Sequence, residues 1–183
     1  MNRELALKVV KGNLKSNNLV FHSLAVEAVM IGLAEKLGQD EKIWGLAGLL
    51  HDVDYEITAD DPSKHGLISE EILAEYNLDQ EIIHAIKSHN EMTGVPLKST
   101  LDKALYAADP ITGLLTACAL VKPSKKLMEV EPKSVKKKFK DKAFARGANR
   151  AQIDCCVNIG IERGEFIEIS LNSMKKIADE LGL

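Results

Sequence analysis

The stretch Gly48-Leu49-Leu50-His51-Asp52-Val53-Asp54-Tyr55 places an adjacent histidine and aspartate at the end of an apolar run. The run predicts a helix from Glu41 to about Asp52, with Asp40 in the position of an N-cap. Residues three and four apart share a helix face, so His51 lies on one face with Trp44, Ala47 and Gly48. We therefore expect His51 to point into the protein interior and the small residues to let a neighbouring helix approach.

The rest of the chain has the helical period almost throughout and almost no alternation with period two. This pattern predicts an all-α fold, with residues 55–58 as the one short candidate for extended chain. Further helices are predicted over residues 3–14, 19–37, 61–76, 79–89 and 99–121, the last interrupted at Pro110, then over a short segment after Pro123 and over 132–145, 149–161 and 165–181. Ser99 and Asp102 have the spacing of a capping box.

Composition is that of a single globular domain: 183 residues, 45% hydrophobic and 28% charged. It excludes a disordered, collagen-like or coiled-coil protein, and the chain is long enough to bury a core without disulfides. We expect one domain over residues 1–183, with a motif-bearing core at about 18–115 and a basic helical extension at about 122–183.

Three cysteines, Cys118, Cys155 and Cys156, are odd in number and form no CxxC pattern, which is typical of reduced thiols. The first fifteen residues are charged throughout and lack the apolar region of a signal peptide. No stretch reaches the roughly 18 uncharged apolar residues of a membrane span. We therefore expect a cytoplasmic protein that is neither exported nor embedded in a membrane.

Net charge is −3, but the basic residues are concentrated between Lys122 and Arg150. That segment holds eleven basic and three acidic residues, a balance near +8 that leaves the remainder near −11. Such a patch could attract a phosphate-bearing ligand or nucleic acid. The segment contains no nucleic-acid-binding motif, and Phe139 and Phe144 are its only aromatic residues. We therefore favour the interpretation that its basic residues form a solvated helix face, and we do not expect a nucleic-acid partner.

Histidines and aspartates that recur on successive predicted helices are the candidates for chemistry. They are His22, His51, Asp52, His65, His89 and Asp109. Neutral imidazole is a borderline-soft nitrogen donor, and carboxylate is a hard oxygen donor that can bridge two cations. One inward histidine is more often a core residue, but several on successive helices beside an aspartate favour a site for Fe, Mn, Co, Ni or Zn over one for Ca.

Three segments resemble the HD-domain superfamily of metal-dependent phosphohydrolases, whose pattern is H…HD…D on a helical core. They are Phe21-His22-Ser23-Leu24-Ala25, the Gly48–Tyr55 stretch and Leu105-Tyr106-Ala107-Ala108-Asp109. Two more segments, Lys64–Ser69 and Ala85–Asn90, resemble the additional histidine segments of the HDIG-type, two-metal branch, H…HD…H…H…D. The resemblance covers about residues 18–115 and implies an HD-domain helical bundle with additional C-terminal helices.

The same resemblance implies a ligand set. One metal would be held by His22, His51, Asp52 and Asp109, and a second by His65 and His89, with Asp52 bridging. The alternative is a one-metal site in which His65 and His89 bind the phosphate of the substrate. His84 is five residues before His89, about 140° round the helix, so we place it outside the ligand set, as a second-sphere or substrate-facing residue, and Lys87 is a candidate phosphate contact.

The resemblance implies hydrolysis of a nucleotide or another small phosphate ester by metal-activated water. It also implies one or two divalent transition metals per chain, and Fe or Mn is favoured over Co, Ni or Zn. Some one-metal relatives place a glutamate three residues after the HD aspartate, where this chain has Tyr55. The general acid or base is therefore open, with Asp54 as candidate and turn capping as its alternative role. The competing functions are a di-iron oxygenase with the same ligand pattern, a non-catalytic binding module, and a nucleic-acid-binding protein that uses the basic segment between Lys122 and Arg150.

Overall fold

The computed structural model describes residues 1–183 and contains α-helices, short 3-10 turns and no β-strand. It confirms the all-α prediction. The helices are α1 (Arg3–Asn13), α2 (Asn17–Leu37), α3 (Glu41–Leu50), α4 (Leu67–Leu73), α5 (Gln80–Ser88), α6 (Thr100–Leu120), α7 (Pro132–Lys140), α8 (Arg150–Asp154) and α9 (Arg163–Lys176). The 3-10 turns are Pro62–Lys64, Ala74–Tyr76, Glu91–Thr93, Leu127–Glu129 and Cys155–Ile159.

Helix α2 lies at the centre of the bundle and packs against α3, α6 and α9. Its contact with α3 is close at Gly48, where a Cβ atom would lie only 2.9 Å from the carbonyl oxygen of Val26. Glycine therefore allows the two helices to approach, as the small residues of α3 predicted. His22 of α2 and His51 at the end of α3 consequently lie with their ring centroids 5.1 Å apart.

One hydrophobic core runs through the whole chain, from α1 to α9. Phe166, Leu171 and Met174 of α9 are fully buried in it. Burial of apolar surface stabilises such packing by roughly 25 cal/mol per Å². The C-terminal helices thus share a core with the helices that carry the ligand candidates.

Helix α2 is long and apolar enough to span a membrane when judged by length and composition alone. Its most apolar 18-residue window is 61% buried inside the protein. The central helix of a core passes the same test, because burial in protein and burial in lipid both select apolar residues. The packing of α2 against three other helices accounts for its composition.

Two predictions near the ligand candidates were wrong. Residues 55–58 form turns rather than extended chain, and the helix predicted over 61–76 is broken at Gly66. Gly66 has φ +91°, a left-handed value that favours glycine, and a Cβ there would lie 2.8 Å from the carbonyl oxygen of Ile86. The break leaves His65 at the end of a short turn instead of within a helix.

Helix α6 is continuous, although an interruption was predicted at Pro110. Packing against α2, α5 and α8 compensates for the hydrogen bond that proline cannot donate. The predicted capping box is confirmed, because the Ser99 hydroxyl accepts from the backbone N–H of Asp102 and the Asp102 carboxylate accepts from that of Ser99. This helix carries Asp109 into the middle of the bundle.

The predicted C-terminal helices are shorter than expected. Helix α7 ends at Lys140, and the segment 149–161 is α8 followed by a 3-10 turn. The turn after α7 is held by Arg150, whose guanidinium donates hydrogen bonds to the carbonyl oxygens of Phe144 and Ala148. At least one residue of the basic segment, Arg150, therefore stabilises the local backbone instead of lying on a solvated helix face.

Candidate metal centre

Six side chains predicted as metal ligands converge between α2, α3, α5 and α6. They are His22 of α2, His51 and Asp52 directly after α3, His65 before α4, His89 directly after α5, and Asp109 of α6. The His51 side chain is fully buried, whereas that of Asp109 is 29% exposed. The cluster is therefore closed towards the core and open to solvent on one side.

The Asp52 carboxylate lies at the middle of the cluster. Its Oδ1 is 3.2 Å from the Nε2 atoms of both His51 and His65 and 3.6 Å from that of His89. Its Oδ2 is 3.5 Å from Nε2 of His22. Because its two oxygens face different histidines, this carboxylate has the placement of a bridging ligand.

The remaining ligand candidates fall into two groups around Asp52. In the first half-site, made of His22, His51, Asp52 and Asp109, the Oδ1 atom of Asp109 is 3.0 Å from Nε2 of His22 and 3.8 Å from Nε2 of His51. In the second half-site, made of Asp52, His65 and His89, the two histidine Nε2 atoms are 3.0 Å apart. Donor atoms this close on both sides of one carboxylate suit two cations.

All four histidine rings are fixed through Nδ1. The acceptors for Nδ1–H are the carbonyl oxygen of Gly48 for His51 (2.8 Å), that of Ile86 for His89 (2.6 Å), the Asp54 carboxylate for His65 (2.8 Å) and the Thr112 hydroxyl for His22 (3.1 Å). The Thr112 hydroxyl itself donates to the carbonyl oxygen of Asp109, so its oxygen accepts from His22. A proton on Nδ1 leaves the lone pair on Nε2, directed at the centre of the cluster.

Burial lowers the pKa of His51 to about 4, so this imidazole is neutral at pH 7. Burial also acts to lower the pKa of His65, but its hydrogen bonds with Asp52 and Asp54 outweigh burial and raise that pKa to about 10. Without a metal, His65 therefore carries a proton between two carboxylates. A bound cation would replace that proton.

The two carboxylates of the cluster remain ionised. Burial acts to raise the pKa of Asp52, but the surrounding histidines, His51 and His65 foremost, hold it well below its ordinary value. The pKa of Asp109 is lowered against the same effect of burial, by its hydrogen bond with His22. Two negative charges beside imidazoles, that of Asp52 buried and that of Asp109 partly exposed, strongly attract a divalent cation.

The arrangement fits a divalent transition metal. The buried Nε2 atom of His51 has no hydrogen-bond partner in the protein, which is unusual for a buried polar atom and is explained if the lone pair binds a cation. His22, His51 and Asp109 form one group of ligand atoms within metal-binding reach, and His51, Asp52 and His89 form another. Mixed imidazole and carboxylate ligands suit Fe, Mn, Co, Ni or Zn.

A cleft of about 430 Å³ opens over the cluster. Besides ligand candidates, it is lined by Leu19, Tyr55, Asn90, Glu91, Met92, Asn149 and Gln152. None of the lining residues is lysine or arginine, and the Glu91 carboxylate accepts a hydrogen bond from the Tyr106 hydroxyl. An anion bound in this cleft would therefore meet no lysine or arginine side chain.

The structure places Asp54, Lys87 and His84 outside the cleft. Asp54 is buried behind His65, and the Lys87 amine forms an ion pair with Glu70 at 2.6 Å. His84 Nδ1 lies 2.9 Å from the carboxylate of Asp102, at the start of α6. None of the three reaches the reacting region in this structure, so their predicted catalytic and substrate-binding roles gain no geometric support.

Several residues that shape the site carried no signal in the sequence. Thr112 is one turn from Asp109 but fixes His22, 90 residues away. Asn90 was expected only as part of a histidine segment, yet its amide donates to the carbonyl oxygens of Pro62 and His65. The cleft wall formed by Asn149 and Gln152 comes from the C-terminal extension, because α8 packs against α6.

The sequence of this chain matches one protein family and is similar to several known proteins. Residues 19–114 match the HD domain family. The chain is similar to Ribonuclease Y from Oleidesulfovibrio alaskensis, 38% identical over 98 residues, which cover 54% of this chain and 18% of the relative. It is also similar to Ribonuclease Y from Sulfurovum sp., with 29% identity over a region that covers 90% of this chain and 32% of the relative. The Ribonuclease Y from Aquifex aeolicus is 33% identical over a region that covers 91% of this chain and 30% of the relative.

The matched region spans at most about a third of these relatives. No solved structure shows significant similarity to the chain. The family match begins three residues before His22 and ends five residues after Asp109, so it includes the whole cluster.

Proposed function

This chain belongs to the HD domain family, and we propose on that premise that it is a metal-dependent phosphohydrolase with a two-metal centre. One observation supports the proposal most directly: four imidazole Nε2 atoms and the Asp109 carboxylate lie in two groups around the Asp52 carboxylate, at the bottom of an open cleft. The similarity to Ribonuclease Y supports hydrolysis of a phosphate ester. Fe or Mn is the proposed metal, with Co, Ni or Zn as further candidates.

When bound, the cations lower the pKa of a water molecule and neutralise phosphate oxygens. In this proposal the residues of the chain fix where that chemistry occurs. Asp52 holds the two half-sites together, and the Nδ1 contacts of the histidines keep each Nε2 directed inward. The core side of the cluster excludes water, so a substrate approaches from the cleft alone.

For the substrate, we propose an RNA phosphodiester ahead of the small phosphate ester or nucleotide that the sequence suggested. The name of the relatives supports RNA. The basic segment gives only limited support, because Lys136 pairs with Glu168 and Lys138 lies over the Phe144 ring. The absence of lysine and arginine from the cleft suits a phosphate with a single negative charge, as in a diester.

The first test measures metal content on protein purified without chelator. The loaded protein is then assayed on bis(p-nitrophenyl) phosphate, p-nitrophenyl phosphate and a short end-labelled RNA, with His51→Ala as the matched inactive control. Two metals per chain with RNA cleavage that His51→Ala abolishes would support the whole proposal. Cleavage of the small esters alone would replace RNA as substrate.

Two irons per chain, oxygen consumption and no hydrolysis of any ester would replace the phosphohydrolase with a di-iron oxygenase. A protein that cannot be loaded with metal would overturn the proposed function altogether.

A further inference from the structure

The carboxylate of Asp54 lies at the opposite edge of the His65 ring from Asp52. Its Oδ1 accepts the Nδ1–H of His65 at 2.8 Å, and its Oδ2 accepts the backbone N–H groups of Gly66 at 2.7 Å and Ser69 at 2.9 Å. The side chain is completely buried. One carboxylate therefore ties a ligand ring to the backbone at the start of α4.

The segment that carries His65 is short, and besides Asp54 the His65 ring contacts the rings of Tyr55 and His89, which lie edge-on to it at centroid distances of 5.4 and 4.8 Å. His65 follows a three-residue 3-10 turn and precedes Gly66 in the left-handed region, and α4 is only seven residues long. From the cleft side, the Asn90 amide holds the main chain of this segment through the carbonyl oxygens of Pro62 and His65. Asn90 contacts only the backbone of this segment, whereas Asp54 bonds the backbone and also provides the hydrogen bond to Nδ1 of the ring.

The direction of the His65 ring decides whether the second half-site exists. Rotation of the ring about its side-chain bonds would move Nε2 away from both Asp52, at 3.2 Å, and the Nε2 of His89, at 3.0 Å. The histidines of the first half-site do not depend on this segment, because they are held by Gly48 and Thr112.

We propose that Asp54 is a positioning residue that creates the second half-site by orienting His65, rather than an acid or base of the reaction. The inference rests on the proposed two-metal function. It assigns to Asp54 an effect on the second metal alone, which a general role in folding would not produce.

The test compares Asp54→Asn with Asp102→Asn. The two aspartates are matched: Asp102 is also fully buried, accepts two backbone N–H groups and accepts from Nδ1 of a histidine, His84, outside the cluster. Asparagine has nearly the same size as aspartate, but its NH₂ group cannot accept a hydrogen bond. At least one of the N–H groups that the carboxylate accepts from therefore loses its acceptor. Binding of Mn²⁺ to each purified protein is measured by titration and by metal content after gel filtration.

Wild type and Asp102→Asn should hold two Mn²⁺ per chain. Asp54→Asn should keep the first and bind the second about 10- to 100-fold more weakly, the usual cost of losing an outer partner of a metal-binding histidine. Asn90→Ala should weaken the same half-site by a smaller factor. Thermal melts of the metal-free proteins record the loss of stability of each variant.

Unchanged affinity for the second metal in Asp54→Asn would overturn the proposal, and so would an equal loss in Asp102→Asn. A wild-type chain that binds only one metal would overturn the two-metal centre itself. If Asp54→Asn does not fold, ¹⁵N NMR spectra of the wild-type Zn²⁺-loaded protein test the proposal, because they report which ring nitrogen of His65 carries the proton. His65 should carry its proton on Nδ1, and a proton on Nε2 would overturn the proposal.

Discussion

The two halves of the candidate centre are built in different ways. The first half-site takes its ligands from α2, α6 and the end of α3, and both α2 and α6 are 21 residues long and mostly buried. The second takes His65 from a short turn and His89 from the residue after α5. Helix packing fixes the first set of ligands, whereas side-chain hydrogen bonds fix His65 in the second.

The two half-sites therefore have different sources of rigidity. A ligand on a buried helix is positioned by the whole core, because the helix moves only if the core opens. A ligand on a turn depends on a few hydrogen bonds, each contributing about 0.5–1.5 kcal/mol, or more where a charge is involved. We therefore expect variants to separate the two half-sites.

The largest effect is expected for Asp52→Ala, which removes the carboxylate shared by both half-sites. Neither metal should then be retained, and activity should fall by more than the roughly 100-fold that loss of an outer partner can cost. Metal analysis and ester hydrolysis measure the change, and circular dichroism checks that helicity is kept. Retention of one full metal would show that Asp52 does not join the half-sites.

The next largest effects are expected for His22→Ala and His65→Ala, each of which should weaken metal binding at one half-site only. His65→Ala should reduce the content to one metal per chain because only the second half-site loses a ligand. His22→Ala should weaken the first half-site instead. The check is a Mn²⁺ titration of each variant, and identical binding curves would mean that the cluster acts as one indivisible site.

The pH dependence should expose the proton on His65. Below its pKa of about 10, His65 must release one proton to bind a cation through Nε2. Affinity at the second half-site should therefore rise with pH, about tenfold per unit between pH 6 and 8. Titrations with Mn²⁺ at several pH values in the His22→Ala protein test this, and a flat profile would contradict a protonated His65.

A smaller effect is expected for Thr112→Val, which keeps the shape of the side chain but removes the acceptor for His22 Nδ1. The first half-site should lose about tenfold in affinity, at the low end for an outer partner, because α2 still positions the ring. Thr116→Val, one turn further along α6, is the matched control. A loss equal to that of His22→Ala would show that packing contributes little to the first half-site.

The smallest effect on metal is expected for His84→Ala. Its partner Asp102 caps α6, so the variant should lose about 1 kcal/mol of stability, the value of one hydrogen bond, and keep both metals. Thermal melts and metal analysis check the two parts separately. Loss of either metal would place His84 in the site after all.

Local patterns were enough to predict much of this molecule. Helical periodicity predicted the all-α class, and the spacing of Ser99 and Asp102 predicted the capping box, because both depend on residues within a turn or two of each other. The resemblance of five short segments to one family named the six candidate ligands. The broken helix at Gly66 was missed because the close approach of Ile86 that demands glycine there is a tertiary contact.

The helical class and the set of side chains able to bind a cation follow from the residues and their spacing along the chain. How those side chains are held follows from packing alone: Asp54 bonds His65 across 11 residues, Thr112 bonds His22 across 90, and α8 brings Gln152 to the cleft. The two kinds of information differ in range. Periodicity and capping are local, whereas these hydrogen bonds exist only after packing has fixed the distance between elements.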